Sequence, residues 1–464
     1  MEPFELSLAA AAAEIEARRL SPVELIDSVL ARIEATEPAL HAYACVTADA
    51  AREAAAHAEQ EIAAGRHLGP LHGIPLGVKD LYDTAGVPTT CSSAVRADNV
   101  PGTDAVAVER LVAAGMVTVG KTHTHEFAFG GITPTTRNPW DTGRIPGGSS
   151  GGSGAAVASG TCMVGLGSDT AGSIRIPANL CGTVGLKPTY GRTSRRGVAS
   201  LSWSLDHVGP LARNVYDCAL VLNHIAGFDR LDPATVDVPV PDYTDGLDRG
   251  IAGLRVGVPA NYFFDQVHED VATAVREAIG VLERLGAQLC EVTIPYPDQV
   301  LAAEWGILLP EASAYHQEML RSKAHLYTDD VRLFLEVGEL VLATDYIKAL
   351  RVRTLMQQAW AAVFDEIDVL VAPGMPVAAP EVGAAEVAWP DGSTEDVTTA
   401  LVRQTSPGNL TGLPTLALPV GFDAAGLPLG MQVTGRPFDE ATVLRVGAAY
   451  EAASPTVGRI APVL

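Results

Sequence analysis

Three serines sit among five glycines in Gly147-Gly148-Ser149-Ser150-Gly151-Gly152-Ser153-Gly154, and another, Ser173, follows in Asp169-Thr170-Ala171-Gly172-Ser173. A serine hydroxyl is a weak nucleophile until a neighbouring base takes its proton, so the pattern asks which base the chain can offer. Ser149 and Ser150 both satisfy G-x-S-x-G, the turn that presents the nucleophile of a Ser-His-Asp triad. That arrangement needs a histidine late in the chain, yet only His207, His224, His268, His316 and His325 lie downstream, and none follows His325. No serine carries a lysine three residues on, which removes an S-x-x-K arrangement as well. No G-x-x-x-x-G-K-[ST] or G-x-G-x-x-G loop follows a strand-like run, so a phosphate cradle is not indicated. A flexible linker would end in a break of composition, whereas this run passes directly into Ala155-Ala156-Val157-Ala158 and the strand-like Met163-Val164-Gly165-Leu166.

Lysine is the remaining base. The chain has five, Lys79, Lys121, Lys187, Lys323 and Lys348, and carries most of its positive charge on arginine. Lys79 closes the apolar run Ile74-Pro75-Leu76-Gly77-Val78, where burial would strip the amine of the proton it keeps in water. A neutral amine can act as a general base; a guanidinium cannot. Lys121 ends a second such run, and periodicity alone does not choose between them. His123-Thr124-His125-Glu126 offers two potential metal ligands, but no third ligand is placed with them. Phe127, Phe129, Ile132 and Trp140 lie between Lys79 and Ser149 and are candidates to line a substrate pocket, with an ordinary place in the core as the equal alternative.

These residues need elements to hold them. Ser21-Pro22-Val23-Glu24 is a capping box with proline at the first helical position, predicting a helix to about Thr36, before Pro38. A second helix is expected over 47–64, strands at 74–78 and 117–120, and a helix over 105–114 between them. After the Gly-, Ser-, Thr- and Pro-dense stretch 130–191 the alternation resumes, with helices at 215–225 and 271–285 and strands at 254–258 and 290–293. Long helices are expected over 299–321 and 344–365, then strands at 369–372, 416–420 and 431–434, while 380–398 reads as a surface loop. Strands alternating with helices predict an α/β fold with a parallel or mixed sheet.

Composition narrows the function. With 32 Lys and Arg against 55 Asp and Glu the net charge is −23, which excludes nucleic-acid or anionic-membrane binding by bulk charge. The 47% hydrophobic content suits a large globular core. Cys45, Cys91, Cys162, Cys181, Cys218 and Cys290 are scattered without a C-x-x-C pair, so neither a disulfide framework nor a thiolate zinc site is expected, and a reducing cytoplasm fits best. The N-terminus carries acids where a signal peptide needs bases, and no uncharged apolar run reaches the ~20 residues that a membrane span requires.

The run from Gly147 to Ala158, continued by Gly167-Ser-Asp-Thr-Ala-Gly-Ser-Ile-Arg-Ile-Pro-Ala178, resembles the amidase signature family. The likeness extends upstream through Leu71-His-Gly-Ile-Pro-Leu-Gly-Val-Lys79-Asp80, and downstream through Gly185-Leu-Lys-Pro-Thr-Tyr-Gly-Arg192 and Asp206-His-Val-Gly-Pro210. It is strong over about 70–215, and present in outline at Asn409-Leu-Thr-Gly-Leu-Pro414 and Gly430-Met-Gln-Val433. The resemblance implies a large mixed, twisted β-sheet covered by helices on both faces. Independently of the resemblance, no repeat, charge block or low-complexity linker separates the elements, which favours one domain over 1–464, with a helical N-terminal extension over about 1–65 and a helical insertion over about 295–366. The resemblance also implies amide hydrolysis by a Ser-cisSer-Lys triad: Ser173 as nucleophile, Ser149 as the bridging serine after a cis peptide, and Lys79 as base. Backbone N–H groups of Thr170, Ala171, Gly172 and Ser173 would form the oxyanion hole, and Asp169 and Arg175 a buried scaffold pair. Ala171 stands where members often have glycine. No cofactor or metal is implied.

Three readings of the substrate follow. The first is a small or aryl amide cleaved by a stand-alone enzyme. The second is a carbamate or ester cleaved by the same acyl-serine route. The third is glutamine, cleaved on behalf of a glutamine-dependent tRNA amidotransferase by its ammonia-producing component. That component usually has Gln after S-I-R and an Asp ahead of P-A-N-L-x-G-L-P, whereas this chain has Ile176 after Arg175 and Leu401-Val-Arg-Gln-Thr-Ser-Pro407 before Asn409. Both departures favour the stand-alone enzyme with a small-molecule partner. Homodimers are common in such families, although the sequence carries no interface signal of its own.

Overall fold

The computed structural model describes residues 2–463. Two helices, α1 (Leu8–Glu16) and α2 (Pro22–Leu40), open the chain, and the capping box is made as the sequence predicts. Ser21 Oγ accepts from the Glu24 N–H at 3.0 Å and Glu24 Oε2 from the Ser21 N–H at 2.9 Å. α2 runs past the expected end and carries Pro38 in its last turn. A proline there forfeits one backbone hydrogen bond, and the helix stops at His41, whose φ of 48° leaves the helical region. The first 65 residues are not helical throughout, because β1 (Tyr43–Val46) joins the sheet before α3 (Ala48–Ala63).

The strand–helix alternation follows: β2 (Pro75–Lys79), α4 (Val106–Ala113), β3 (Val117–Thr122), α5 (Gly151–Ser159), β4 (Val164–Asp169), α6 (Arg175–Cys181), β5 (Val184–Lys187), β6 (His207–Ala212) and α7 (Val215–Ile225). Then come β7 (Arg255–Pro259), α8 (Glu269–Arg284), β8 (Gln288–Val292), three consecutive helices α9 (Val300–Lys323), α10 (Asp329–Gly338) and α11 (Ala343–Glu366), and β9 (Val369–Pro373). The expected surface loop at 380–398 instead holds a small hairpin, β10 (Glu386–Ala388) with β11 (Thr394–Asp396). α12 (Val397–Thr411), β12 (Thr415–Phe422), β13 (Pro428–Gly435) and α13 (Glu440–Ala453) complete the chain.

The main sheet has eleven strands in the order β1-β3-β2-β4-β6-β5-β12-β13-β9-β7-β8. Its pairing is mixed: β2 lies parallel to β3 and β4, β7 parallel to β8 and β9, and the central pairs are antiparallel. Every residue of β2, β4, β5, β6, β9 and β13 is buried. Successive strand side chains point to opposite faces, so these strands are covered on both, as the α/β reading expects. β5 and β6 escape a periodicity reading, since Gly209 and Pro210 interrupt β6. The β5–β6 ladder ends at Gly185↔Leu211, one position before Pro210, which has no N–H to donate. The parallel neighbours β2 and β4 end side by side, and their carboxyl ends carry Lys79 and Asp169.

Candidate active site

Lys79 is fully buried, and its Nζ lies 2.8 Å from Ser149 Oγ, 2.8 Å from Ser150 Oγ and 2.9 Å from Ser168 Oγ. Ser150 Oγ donates to the Ser168 carbonyl at 3.2 Å, so towards the amine it acts as acceptor. Burial lowers the Lys79 pKa to about 7, and the carboxylates of Asp169 and Asp206 only partly oppose that fall. The structure separates the two lysines that periodicity could not. Lys121 Nζ donates to the Tyr82 carbonyl at 2.5 Å and to Thr89 Oγ1 at 2.6 Å, 3.8 Å from Asp80, and no serine hydroxyl among the described residues bonds to it.

The Gly148–Ser149 peptide is cis. The turn is fixed through the Ser149 carbonyl, which accepts from the His125 N–H and from Thr133 Oγ1, each at 3.1 Å. Gly148 is obligatory on steric grounds, because a Cβ there would come within 2.6 Å of the Ile132 nitrogen. α5 starts immediately afterwards, and Ser153 is spent within the scaffold, 2.7 Å from Thr122 Oγ1 and donating to the Leu166 carbonyl at 2.8 Å.

The second serine motif forms the loop between β4 and α6. Its Ser173 carbonyl accepts from the Ser150 N–H at 3.2 Å, which ties it to the Gly-Ser turn. Ser173 is 6% exposed, and its Oγ makes no hydrogen bond among the described residues. The amide groups of Ala171, Gly172 and Ser173 likewise donate to no protein acceptor there, leaving three adjacent donors free. Beneath the loop, Asp169 is buried against Arg175 with contacts of 2.9 and 3.0 Å. Burial alone would raise the Asp169 pKa, but the Arg175 guanidinium, helped by Asn409, holds it well below the usual range. Asn409 Nδ2 donates to Asp169 Oδ1 at 2.9 Å, Arg175 donates to the Thr405 carbonyl at 2.8 Å, and Thr405 Oγ1 donates to the Ala171 carbonyl.

The amidase family profile matches residues 24–444. The chain belongs to the amidase family. An amidase of Pseudomonas putida is 54% identical over 97% of this chain and 96% of its own length. A glutamyl-tRNA(Gln) amidotransferase component from Roseiflexus sp. (strain RS-1) is 43% identical over 96% of each chain. Among solved structures, a vestigial protein complex said to reveal the evolutionary origins of an s-triazine catabolic enzyme superposes with a TM-score of 0.93 at 36% identity, over 98% of this chain and 100% of that one. This amidase is therefore an enzyme that hydrolyses amide C–N bonds.

A cavity of about 190 Å³ opens beside the β4–α6 loop of the amidase, with Ser168, Thr170 and Asp206 in its wall. Of the apolar residues considered for a pocket, none contributes to this wall; Ala128 does. Phe127 is wedged against His316, with ring centroids 4.5 Å apart, and Phe129 stacks on Phe334 at 5.2 Å. Ile132 backs the cis turn through its main chain. His123 Nδ1 lies 3.0 Å from Ser92 Oγ and His125 Nε2 3.0 Å from Asp330, and no group of three metal-ligating side chains occurs among the described residues. No described helix is long and apolar enough to cross a membrane. Sequence reasoning missed Ser168, Thr133, Thr405 and Asp206 as supports of the site. Asn409 had a signal, since it opens the Asn409–Pro414 motif, while Thr405 lies outside any pattern.

Proposed function

We propose that this amidase cleaves small or aryl amides through an acyl-Ser173 intermediate, with Ser149 as proton relay and Lys79 as base. The observation that carries the reading is the 2.8 Å bond between the buried, proton-poor Lys79 amine and Ser149, in a turn tied to the Ser173 loop. Ser173 Oγ attacks the carbonyl carbon as its proton passes to Ser149, whose own proton moves to Lys79 Nζ. The oxyanion meets the unengaged amides of Ala171, Gly172 and Ser173, with Thr170 at the loop's start; losing one such donor typically costs about 10²–10³ in turnover. The relay then returns the proton to the departing nitrogen, the C–N bond breaks, and the amine leaves. Water, deprotonated by the same relay, cleaves the ester to give the acid and free Ser173. Because no step depends on what the carbonyl carries beyond a leaving group, carbamates and esters can follow the same route, and the pocket decides among them.

The test is to incubate the purified chain alone with anilides, primary amides, aryl carbamates and glutamine, trapping the adduct for mass spectrometry. We expect anilide or carbamate turnover with the acyl group on the Ser173 peptide. The likeness to the amidotransferase component defines the opposing result: activity confined to glutamine, or appearing only with an added partner.

A further inference from the structure

α12 carries Pro407 in its interior, and a proline has no N–H to give to the carbonyl four residues back. That carbonyl belongs to Arg403, and it accepts instead from the Tyr262 hydroxyl at 2.5 Å. Tyr262 is 8% exposed, and burial pushes its phenol well up, so the hydroxyl keeps its proton and donates. The next two carbonyls of the helix also accept from side chains outside it, Gln404 from Gln432 Nε2 and Thr405 from Arg175 Nη1, each at 2.8 Å. The break at Pro407 is thus held by side chains from the β7–α8 loop, β13 and α6.

The loop that brings Tyr262 is itself fixed. Tyr262 has φ of 69°, a left-handed conformation that a bulky residue adopts only where its surroundings impose it. Its N–H donates to Asp265 Oδ2 at 2.8 Å. Arg403 donates to the carbonyls of Asp265 and Gln266 at 3.2 and 3.1 Å, and Gln404 Nε2 to that of Phe263 at 3.2 Å.

Thr405 lies in the turn that Pro407 interrupts, and its Oγ1 donates to the Ala171 carbonyl. The Val402 carbonyl, 3.2 Å from the same oxygen, already accepts from Ser406 Oγ at 2.8 Å. The Ala171 C=O and the Gly172 N–H belong to one peptide unit, which is trans, so they point in opposite directions. A hydroxyl that holds this carbonyl therefore sets the aim of the N–H, which donates to no protein acceptor among the described residues.

We infer that Thr405 and Tyr262 are positioning residues for amide hydrolysis: Tyr262 holds the break in α12 by occupying the Arg403 carbonyl, and Thr405, within that break, aims the Gly172 N–H at the oxyanion. The inference rests on the acyl-Ser173 reading, in which that amide is an oxyanion donor. The test measures kcat and KM for an anilide and Ki for an aryl trifluoromethyl ketone. Ser173 Oγ bonds to the ketone carbon, the carbonyl π pair moves to its oxygen, and the serine proton leaves through Ser149 to Lys79. Nothing departs, so the adduct keeps an oxyanion where the tetrahedral intermediate has one. Thr405→Val lowers kcat by about tenfold or more with KM within about twofold, and raises Ki by about the factor that kcat/KM loses. Thr405→Ser recovers most of that loss. Tyr262→Phe lowers kcat by about threefold or more, and has no further effect on kcat once residue 405 is valine. Tyr450→Phe is the control for loss of a buried hydroxyl, since it frees the Val420 carbonyl at 3.3 Å, and it lowers the melting temperature while leaving kcat and Ki unchanged. Unchanged kcat and Ki in Thr405→Val overturn the inference, as does a Tyr262→Phe loss that persists in full beside Thr405→Val. Should Thr405→Val not fold, Tyr262→Phe carries the test, and an unchanged kcat there is equally decisive against it. Amide turnover surviving in Ser173→Ala refutes the acyl-Ser173 reading itself, and the inference falls with it.

Discussion

Lys79 shows what a residue gains from its surroundings. In water its amine would hold a proton, whereas among Ser149, Ser150 and Ser168 and away from solvent its pKa lies near 7. The proposed base is the neutral form, whose share grows as pH rises, so kcat/KM should climb through about pH 7 and level off above it; a flat profile from pH 5.5 to 8.5 would count against Lys79. Lys79→Ala and Ser149→Ala should each lower kcat by orders of magnitude with near-native circular dichroism, and Lys79→Arg should not rescue, because a guanidinium keeps its proton. The G-V-K-D run and the two serine motifs pick out Lys79, Ser149 and Ser173, the proposed triad, in the sequence. The choice of Lys79 over Lys121 was not legible from periodicity, because both end buried strands and only the parallel pairing of β2 with β4 brings one of them to the serines. Ser168 was hidden for the same reason: its role comes from β4 lying beside β2.

At the scale of elements, the β4–α6 loop is held from below by α12. Gly172 has φ of +134°, and a Cβ there would collide with the Thr405 side chain. Gly172→Ala should therefore lower the melting temperature and cut kcat by about 10² or more, read by thermal denaturation and steady-state rates. Asn409→Ala removes a donor from the buried Asp169 and the acceptor facing Arg175, for a loss of about 1–3 kcal/mol in urea titrations together with reduced kcat. Sequence periodicity found the longest helices and most of the strands here, but not α12 or α13. It failed at β1, β5, β6 and the β10–β11 hairpin, where strands of three to six residues carry too few alternations to register, with glycine or proline interrupting β5 and β6 as well.

The whole molecule buries Lys79, Lys121 and Lys187 with lowered pKa values. Unfolded, each would bind its proton up to about pH 10.5, so between their folded values and that limit the unfolded state holds more protons and stability rises with pH, by up to about 1.4 kcal/mol per unit per lysine. The buried thiols of Cys91, Cys162, Cys181 and Cys218 have raised pKa values and oppose this rise once pH passes about 8.5, so the test is a difference: in urea unfolding between about pH 7.5 and 8.5, Lys79→Met should lower the slope by about one lysine's share, and an unchanged slope would contradict burial of the amine. The α/β class was readable from the alternation of strands and helices, but the order of strands was not, since it depends on pairings far apart in sequence. That order bears on how the enzyme is born. β12 and β13, which follow every other strand of this sheet along the chain, occupy its middle and join the half built from β1 to β6 to the half built from β7 to β9. Until they arrive, a chain emerging from the ribosome holds two half-sheets with open edges, and lacks the α12 residues that clamp the Ser173 loop. The proposed catalysis therefore awaits the synthesis of α12 to β13, and the interval before it is when the nascent chain most needs protection from pairing with its neighbours.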